Sequence, residues 1–257
     1  MQEEKLLLKN APIVEAIIDI DCDMPPGFQI EAIKDVADKA FGANYPIKTI
    51  QNTFSMQMTF GSGPSQSDAS NPEVHAYRFQ SADGKQIVQA RANGFTFNRL
   101  KPYGSFDEYI PEIKSLWSSY LAVACPILVR TIKLRYLNMI ALPVSGKRFE
   151  MESYFKICPR IPCEEDLLVN IFANHMLCTD TSTGHTIRLA LATLTKIPDG
   201  IGKDGDYGVI FDIEVSSQLD SEPSDWDSIV LMLQEMRILK NRLFVRSLTE
   251  QCLKLFQ

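Results

Sequence analysis

Residues 12–22 alternate without a break. Val14, Ala16, Ile18, Ile20 and Cys22 share one parity, and Ile13, Glu15, Ile17, Asp19 and Asp21 share the other. Strand side chains point to opposite faces in turn, so this period predicts a strand with one apolar and one mixed face. Met24-Pro25-Pro26-Gly27 ends it. Ile33, Val36, Ala37, Ala40 and Phe41 then recur at helical spacing up to Gly42. Residues 47–60 alternate again, with Ile50, Phe54, Met56, Met58 and Phe60 opposite Thr49, Gln51, Thr53, Ser55 and Gln57. Gly61 to Pro72, rich in Gly, Ser, Pro and Asn, is expected to be a loop. Residues 75–81 and 86–92 flank Asp83-Gly84, a hairpin signal, and Asn93-Gly94 turns into a further strand from Phe95 to Leu100. Ser105 and Glu108 form a capping box ahead of the stripe Phe106, Tyr109, Ile110, Ile113, Leu116, Trp117, Tyr120 and Leu121.

From Leu128 the order restarts. A long strand is predicted to Pro143, and Gly146 to Phe155 holds a turn and a short helix. Leu167–Leu177, Thr186–Ile197 and Tyr207–Ser217 are expected as three antiparallel strands. Ser224, with Asp227 three residues on, is the expected cap of a final helix whose stripe begins Trp226, Ile229, Val230, Leu233, Met236 and runs towards Phe244 and Leu248. The chain is therefore expected to be α+β, with two similarly ordered halves, 1–126 and 127–257, packed as one unit. Each half runs strand, helix, antiparallel strands, long helix. That order resembles the half-repeat of the TATA-binding-protein fold, and also helix-grip folds, in which a curved antiparallel sheet wraps a long helix. Such a likeness concerns architecture and carries no function.

Composition narrows the function classes. The formal charge is −6 and the pI about 5.2, which argues against a role centred on neutralising nucleic-acid phosphates. Neither a long apolar run nor a secretory leader is read, so a cytoplasmic protein with no membrane anchor is expected. Six cysteines are scattered without a Cys-x-x-Cys pair, and reduced thiols, mostly buried, are expected. Cys158, Cys163, His175 and Cys178 come nearest to a metal pattern. Their spacing matches no common zinc knuckle, and His175 and Cys178 would point to opposite faces of a shared strand. No metal or other cofactor is assigned.

Four stretches resemble a known family. They are Asn10-Ala11-Pro12-Ile13-Val14-Glu15-Ala16-Ile17-Ile18-Asp19-Ile20; Phe97-Asn98-Arg99-Leu100 with Pro102-Tyr103; Leu134-Arg135-Tyr136-Leu137-Asn138; and Phe244 with Leu248-Thr249-Glu250. Together they resemble a sporadically distributed family of bacterial proteins of about this length, whose function is uncharacterised. The family usually has Gly before Arg-Tyr, where this chain has Leu134, and an Ile-Asn-Arg run, where it has Leu137-Asn138-Met139. The resemblance implies no reaction, cofactor or substrate.

Candidate chemistry lies on the mixed face of the predicted sheet. Opposite parities collect Glu15, Asp19 and Asp21; Gln89 and Arg91; Lys133 and Arg135; and Asp212 and Glu214. One reading is a polar groove that binds a charged ligand or peptide, with Glu15, Asp19, Arg91, Lys133 and Arg135 as binding residues and Arg99, beside Asn98 and Tyr103, as a further anion contact. The other is a solvated face with cross-strand pairs such as Glu15 with Arg135, which would make the first strand of each half sheet neighbours. At the strand-to-helix junction, Arg99 would then bond loop carbonyls or a carboxylate. Triphosphate tunnel enzymes also begin with an acidic strand, but their Glu-x-Glu-x-Lys signature is missing here. Gly61-Ser62-Gly63-Pro64 lacks the ending of a phosphate loop. His75, His175 and His185 have no nucleophile context, and the acids after Cys163 would blunt its thiol. The expected function is that of a non-enzymatic binding or interaction protein with a protein partner or a second copy. An enzyme or sensor for a small anionic ligand is the alternative, and nucleic acid is not the expected partner.

Overall fold

The computed structural model describes residues 8–53, 56–58, 67–69, 73–143, 151–158, 171–198, 200–203 and 206–257. Most of the Gly-rich stretch from Gly61, the end of the 47–60 alternation, the turn at Gly146, Cys163 and the start of the strand expected from Leu167 lie outside them.

The alternation at the start becomes β1, Ile13–Asp23. A 3-10 turn, Ile30–Ile33, leads into α1, Lys34–Phe41. Next come β2 (Ile47–Thr53), β3 (Met56–Met58) and β4 (Ser67–Ala69), the last a short strand within the expected loop and paired with β3. The hairpin strands are β5, Glu73–Gln80, and β6, Gln86–Arg91, and β7 is Gly94–Leu100. Helix α2, Phe106–Ala124, opens on the expected box, with the Ser105 N–H donating to Glu108 Oε2 at 3.2 Å. It ends where Cys125 turns left-handed (φ 48°) ahead of Pro126. The second series is β8 (Leu128–Leu142), β9 (Ala173–Thr179), β10 (Thr186–Thr193), β11 (Tyr207–Ser221), α3 (Trp226–Ser247) and α4 (Glu250–Leu253). The cap of α3 is Asp225 and not Ser224. Its carboxylate accepts from the Ser228 N–H at 3.1 Å and the Ser228 hydroxyl at 2.6 Å.

Nine strands form one open antiparallel sheet in the order β2-β5-β6-β7-β1-β8-β11-β10-β9. Strands β1 and β8 are neighbours, so the sheet runs without interruption from the first series into the second. In each series the first strand lies innermost, beside the last strand of the same series.

Parity decides what each face meets. On β1, Ala16, Ile18, Ile20 and Cys22 are buried; on β8, Leu134, Tyr136, Ile140 and Leu142; on β11, Val209, Phe211, Ile213 and Val215. A bulge near Asp21/Cys22 shifts the phase of β8, so that Val129 is buried along with Ile132. Helices α2 and α3 cover this face. Trp117 and Tyr120 pack on Phe95, and Phe244 stacks on Phe211 with ring centroids 6.1 Å apart. Each fully buried large apolar side chain contributes about 1.5–3 kcal/mol. The helices thereby leave the other face to the polar parity. No helix among the described residues is long and apolar enough to cross a membrane.

Candidate functional site

The helix-free face carries two ion-pair clusters. In the first, β1 supplies Asp19 and Asp21, β6 Arg91, β7 Thr96 and β8 Lys133. Lys133 Nζ donates to Asp21 Oδ2 at 2.6 Å. Asp21 Oδ1 forms an ion pair with the Arg91 guanidinium at 2.7 Å. Arg91 is also 3.7 Å from Asp19 and donates to the carbonyls of Ile20 and Phe95 at 3.3 Å. The Thr96 hydroxyl donates to Asp19. Gly94 makes this junction possible: it sits opposite Asp21 with φ 152°, and a β-carbon there would collide with the Ile20 carbonyl oxygen.

The second cluster spans β8, β11 and β10. Arg135 donates to both Asp212 carboxylate oxygens, at 2.9 and 2.7 Å, in a bidentate pair. Arg188 reaches Asp212 at 3.2 Å and Glu214 at 2.9 Å. The Asp212 side chain is only 8% exposed, while Arg135 and Arg188 are about a third exposed. The arginines thus lie over the carboxylates and screen them from solvent.

Protonation follows this pairing. Burial pulls the Asp21 carboxyl upward, but the Lys133 hydrogen bond and the Arg91 and Lys133 charges outweigh it, and Asp21 titrates below its ordinary range. Bonding to Asp212 raises Arg135 further above its already high value, and bonding to Glu214 does the same for Arg188.

Of the six candidate residues, Asp19, Arg91 and Lys133 meet in the first cluster and Arg135 belongs to the second. Glu15 stands apart from both. The expected Glu15–Arg135 pair does not form, because Glu15 lies opposite Leu137 and Arg135 opposite Ile17. Glu15 Oε1 accepts instead from Asn98 Nδ2 at 2.8 Å, and Asn98 in turn accepts from Gln89 at 3.1 Å. Arg99 is on the opposite, helix-covered side, sharing the parity of Phe95 and Phe97. Its guanidinium donates to the Pro102 carbonyl at 3.4 Å and lies 4.9 Å from the Tyr109 ring centroid. It is a junction residue, tied to a loop carbonyl, and forms no common site with the others.

Arg188 was missed, although it alternates with Ile187 and Leu189 in the expected strand and parity alone places it on the polar face. Lys240 was missed too. It lies on the covered side, 7% exposed, with Nζ 3.7 Å from the Tyr136 ring centroid. Beside it the Tyr103 and Tyr136 hydroxyls are 2.9 Å apart, and burial pushes the Tyr136 phenol up to about 12. A gap of about 10 Å³ bounded by Arg99, Tyr103, Tyr109 and Tyr136 has room for a single water.

The aromatic residues of the central strands, Phe95, Phe97, Tyr136 and Phe211, are buried on the helix side. A nucleic-acid saddle would need such residues on the open face. His175 and Cys178 share β9 at opposite parity. Among the described residues no three His, Cys, Asp or Glu side chains are placed to hold a metal ion. Of the five described cysteines, only Cys22 and Cys252 are buried, their thiols pushed up to about 12 by desolvation. Cys158 is half-buried, and Cys125 and Cys178 are exposed, which corrects the expectation that most are buried.

The first three of the stretches that carry the family resemblance lie side by side, and the fourth packs on Phe211 of β11. Strand β1 is flanked by β7 and β8, Tyr103 bonds Tyr136, and Asn138 donates to the backbone carbonyl of Phe211 at 2.9 Å. Thr249 closes the C-terminal end by donating to the Ser153 carbonyl at 2.6 Å. The chain matches no protein-family model and no curated protein.

Proposed function

We propose that this chain is a cytoplasmic, non-enzymatic binding protein that works through contact with other protein chains. One observation supports this above the rest: the charges of the helix-free face neutralise one another. Asp212 holds two guanidinium groups, and Asp21 holds Arg91 and Lys133. A small anion would have to displace a carboxylate already bound at 2.6–2.9 Å, whereas a protein surface can add to a face whose charges are already matched. Cys22, Cys125, Cys178 and Cys252 are free thiols, in keeping with a reducing compartment. The adjacency of the first three motif stretches at the centre of the sheet is in keeping with membership of the bacterial family they resemble.

The alternative, a sensor or enzyme for a small anion, draws on Arg91. Its Nε is buried without a hydrogen-bond partner among the described residues. Thermal unfolding of the full chain with phosphate, pyrophosphate and nucleotides separates the two readings. No change in Tm is expected from any of them. A dose-dependent rise that disappears in Arg91→Gln would replace the interaction reading with the anion reading.

A further inference from the structure

The two edges of the sheet are built differently. Strand β2 carries Lys48, paired with Asp38 at 2.9 Å, and a register break between Gln51 and Asn52. Charges and bulges of this kind keep an edge from pairing with another strand. Strand β9 has neither. Its seven residues, Ala173-Asn174-His175-Met176-Leu177-Cys178-Thr179, include no Lys, Arg, Asp, Glu or Pro, and they pair with β10 in unbroken register.

The backbone bonds at the two ends of β9 fix which residues face outward. The Asp180 N–H donates to the His185 carbonyl at 2.9 Å, and the Thr193 N–H donates to the Phe172 carbonyl at 3.1 Å. In an antiparallel ladder, bonded pairs alternate with unbonded ones. The even residues of β9 therefore bond β10. Ala173, His175, Leu177 and Thr179 point their N–H and C=O groups away from it. All four are exposed, Leu177 at 76%, and among the described residues no strand lies against them.

We propose that β9 is a self-pairing edge, and that two copies of the chain join β9 to β9 antiparallel about a two-fold axis at Met176. In that register His175 bonds Leu177 of the second copy, and Ala173 bonds its Thr179. Each pair is repeated by the two-fold, so every outward backbone group of the strand is satisfied. A register centred one residue away would leave part of the set unpaired. Leu177 packs beside His175 of the second copy, Asn174 faces Cys178, and no like charges are brought together. A second copy fits this edge because the same strand supplies both the donors and the acceptors. The inference rests on the interaction reading and names one partner for it.

The test is the mass of the full chain by sedimentation across a concentration series. The wild type is expected to form a species of twice 29.0 kDa. Leu177→Pro removes only an outward N–H and should raise the dimer dissociation constant about tenfold or more, with circular dichroism unchanged and Tm equal to that of the wild type at dilutions where the wild type is monomeric. Should the proline disturb the strand, the double change H175K/L177K sets lysine against lysine on both sides of the axis without altering the backbone. Met176→Cys, with Cys125 and Cys178 changed to Ser, should cross-link under mild oxidation, because an unbonded antiparallel pair brings its Cα atoms to about 4.5 Å. A wild type that stays monomeric at every concentration overturns the self-pairing. So does a dimer that survives both edge variants, or a Met176→Cys protein that fails to cross-link. None of these outcomes touches the reading of a different protein as partner, which stands or falls on the anion screen.

Discussion

Charge is handled in opposite ways on the two sides of the sheet. On the helix-free side, Asp19, Asp21, Arg91 and Lys133 pair together, and so do Arg135, Arg188, Asp212 and Glu214. On the covered side Lys240 has no carboxylate within reach among the described residues and rests on the Tyr136 ring. Burial, with a smaller contribution from the nearby Arg237 charge, pulls its pKa down to about 7. A half-buried surface retains its charges by matching them, while a closed interior retains a lone amine by letting it become neutral.

The sharpest way to break this contrast is Asp212→Ala. It leaves Arg135 and Arg188 pressed over a vacated site, and the expected loss is about 3 kcal/mol in urea unfolding, the low end for a broken buried pair because both arginines keep a third of their surface in water. A double-mutant cycle with Arg135→Met should recover part of that loss; full additivity would mean that the pair is not coupled. Lys240→Met follows. The folded pKa near 7 lies below the unfolded value near 10.5, so the unfolded chain binds the extra proton and stability rises with pH across that window. The substitution should therefore stabilise at pH 7 and below and lose its advantage as the pH approaches 10.5. The whole displacement, from burial and the Arg237 charge together, corresponds to about 4–5 kcal/mol, and the aromatic contact returns about 2, which leaves a gain of about 2–3 kcal/mol. A gain that does not vary with pH would mean the amine is charged throughout. The smallest effect belongs to Arg130, which is half exposed between Asp23 and Asp220. Arg130→Ala should change the urea midpoint least of the three, and less still in high salt.

Much of the sheet was legible because its strands alternate cleanly. Parity on β1, β8 and β11 sorted Asp21, Lys133, Arg135, Asp212 and Glu214 onto one face without any knowledge of the fold. Which acid met which base was not legible, since that depends on register. A displacement of two residues sent Glu15 to Asn98 and Arg135 to Asp212. Arg99 misled because it sits at the end of β7, where a long side chain on the apolar parity can still bring its head group to a loop carbonyl. Lys240 carried a signal in plain view. Ile229, Leu233, Met236 and Phe244 recur along the buried side of α3, and position 240 falls on that same stripe.

The seam between β1 and β8 also has a consequence for how the chain is made. Asp19 lies opposite Lys133, more than a hundred residues further along. At synthesis rates of about 5–20 residues per second, the second strand leaves the ribosome on the order of ten seconds after the first. Until then β1 has β7 on one side and a bare edge on the other. A nascent chain that has emerged past residue 100 but not yet past residue 128 therefore displays the centre of its own sheet to whatever lies nearby.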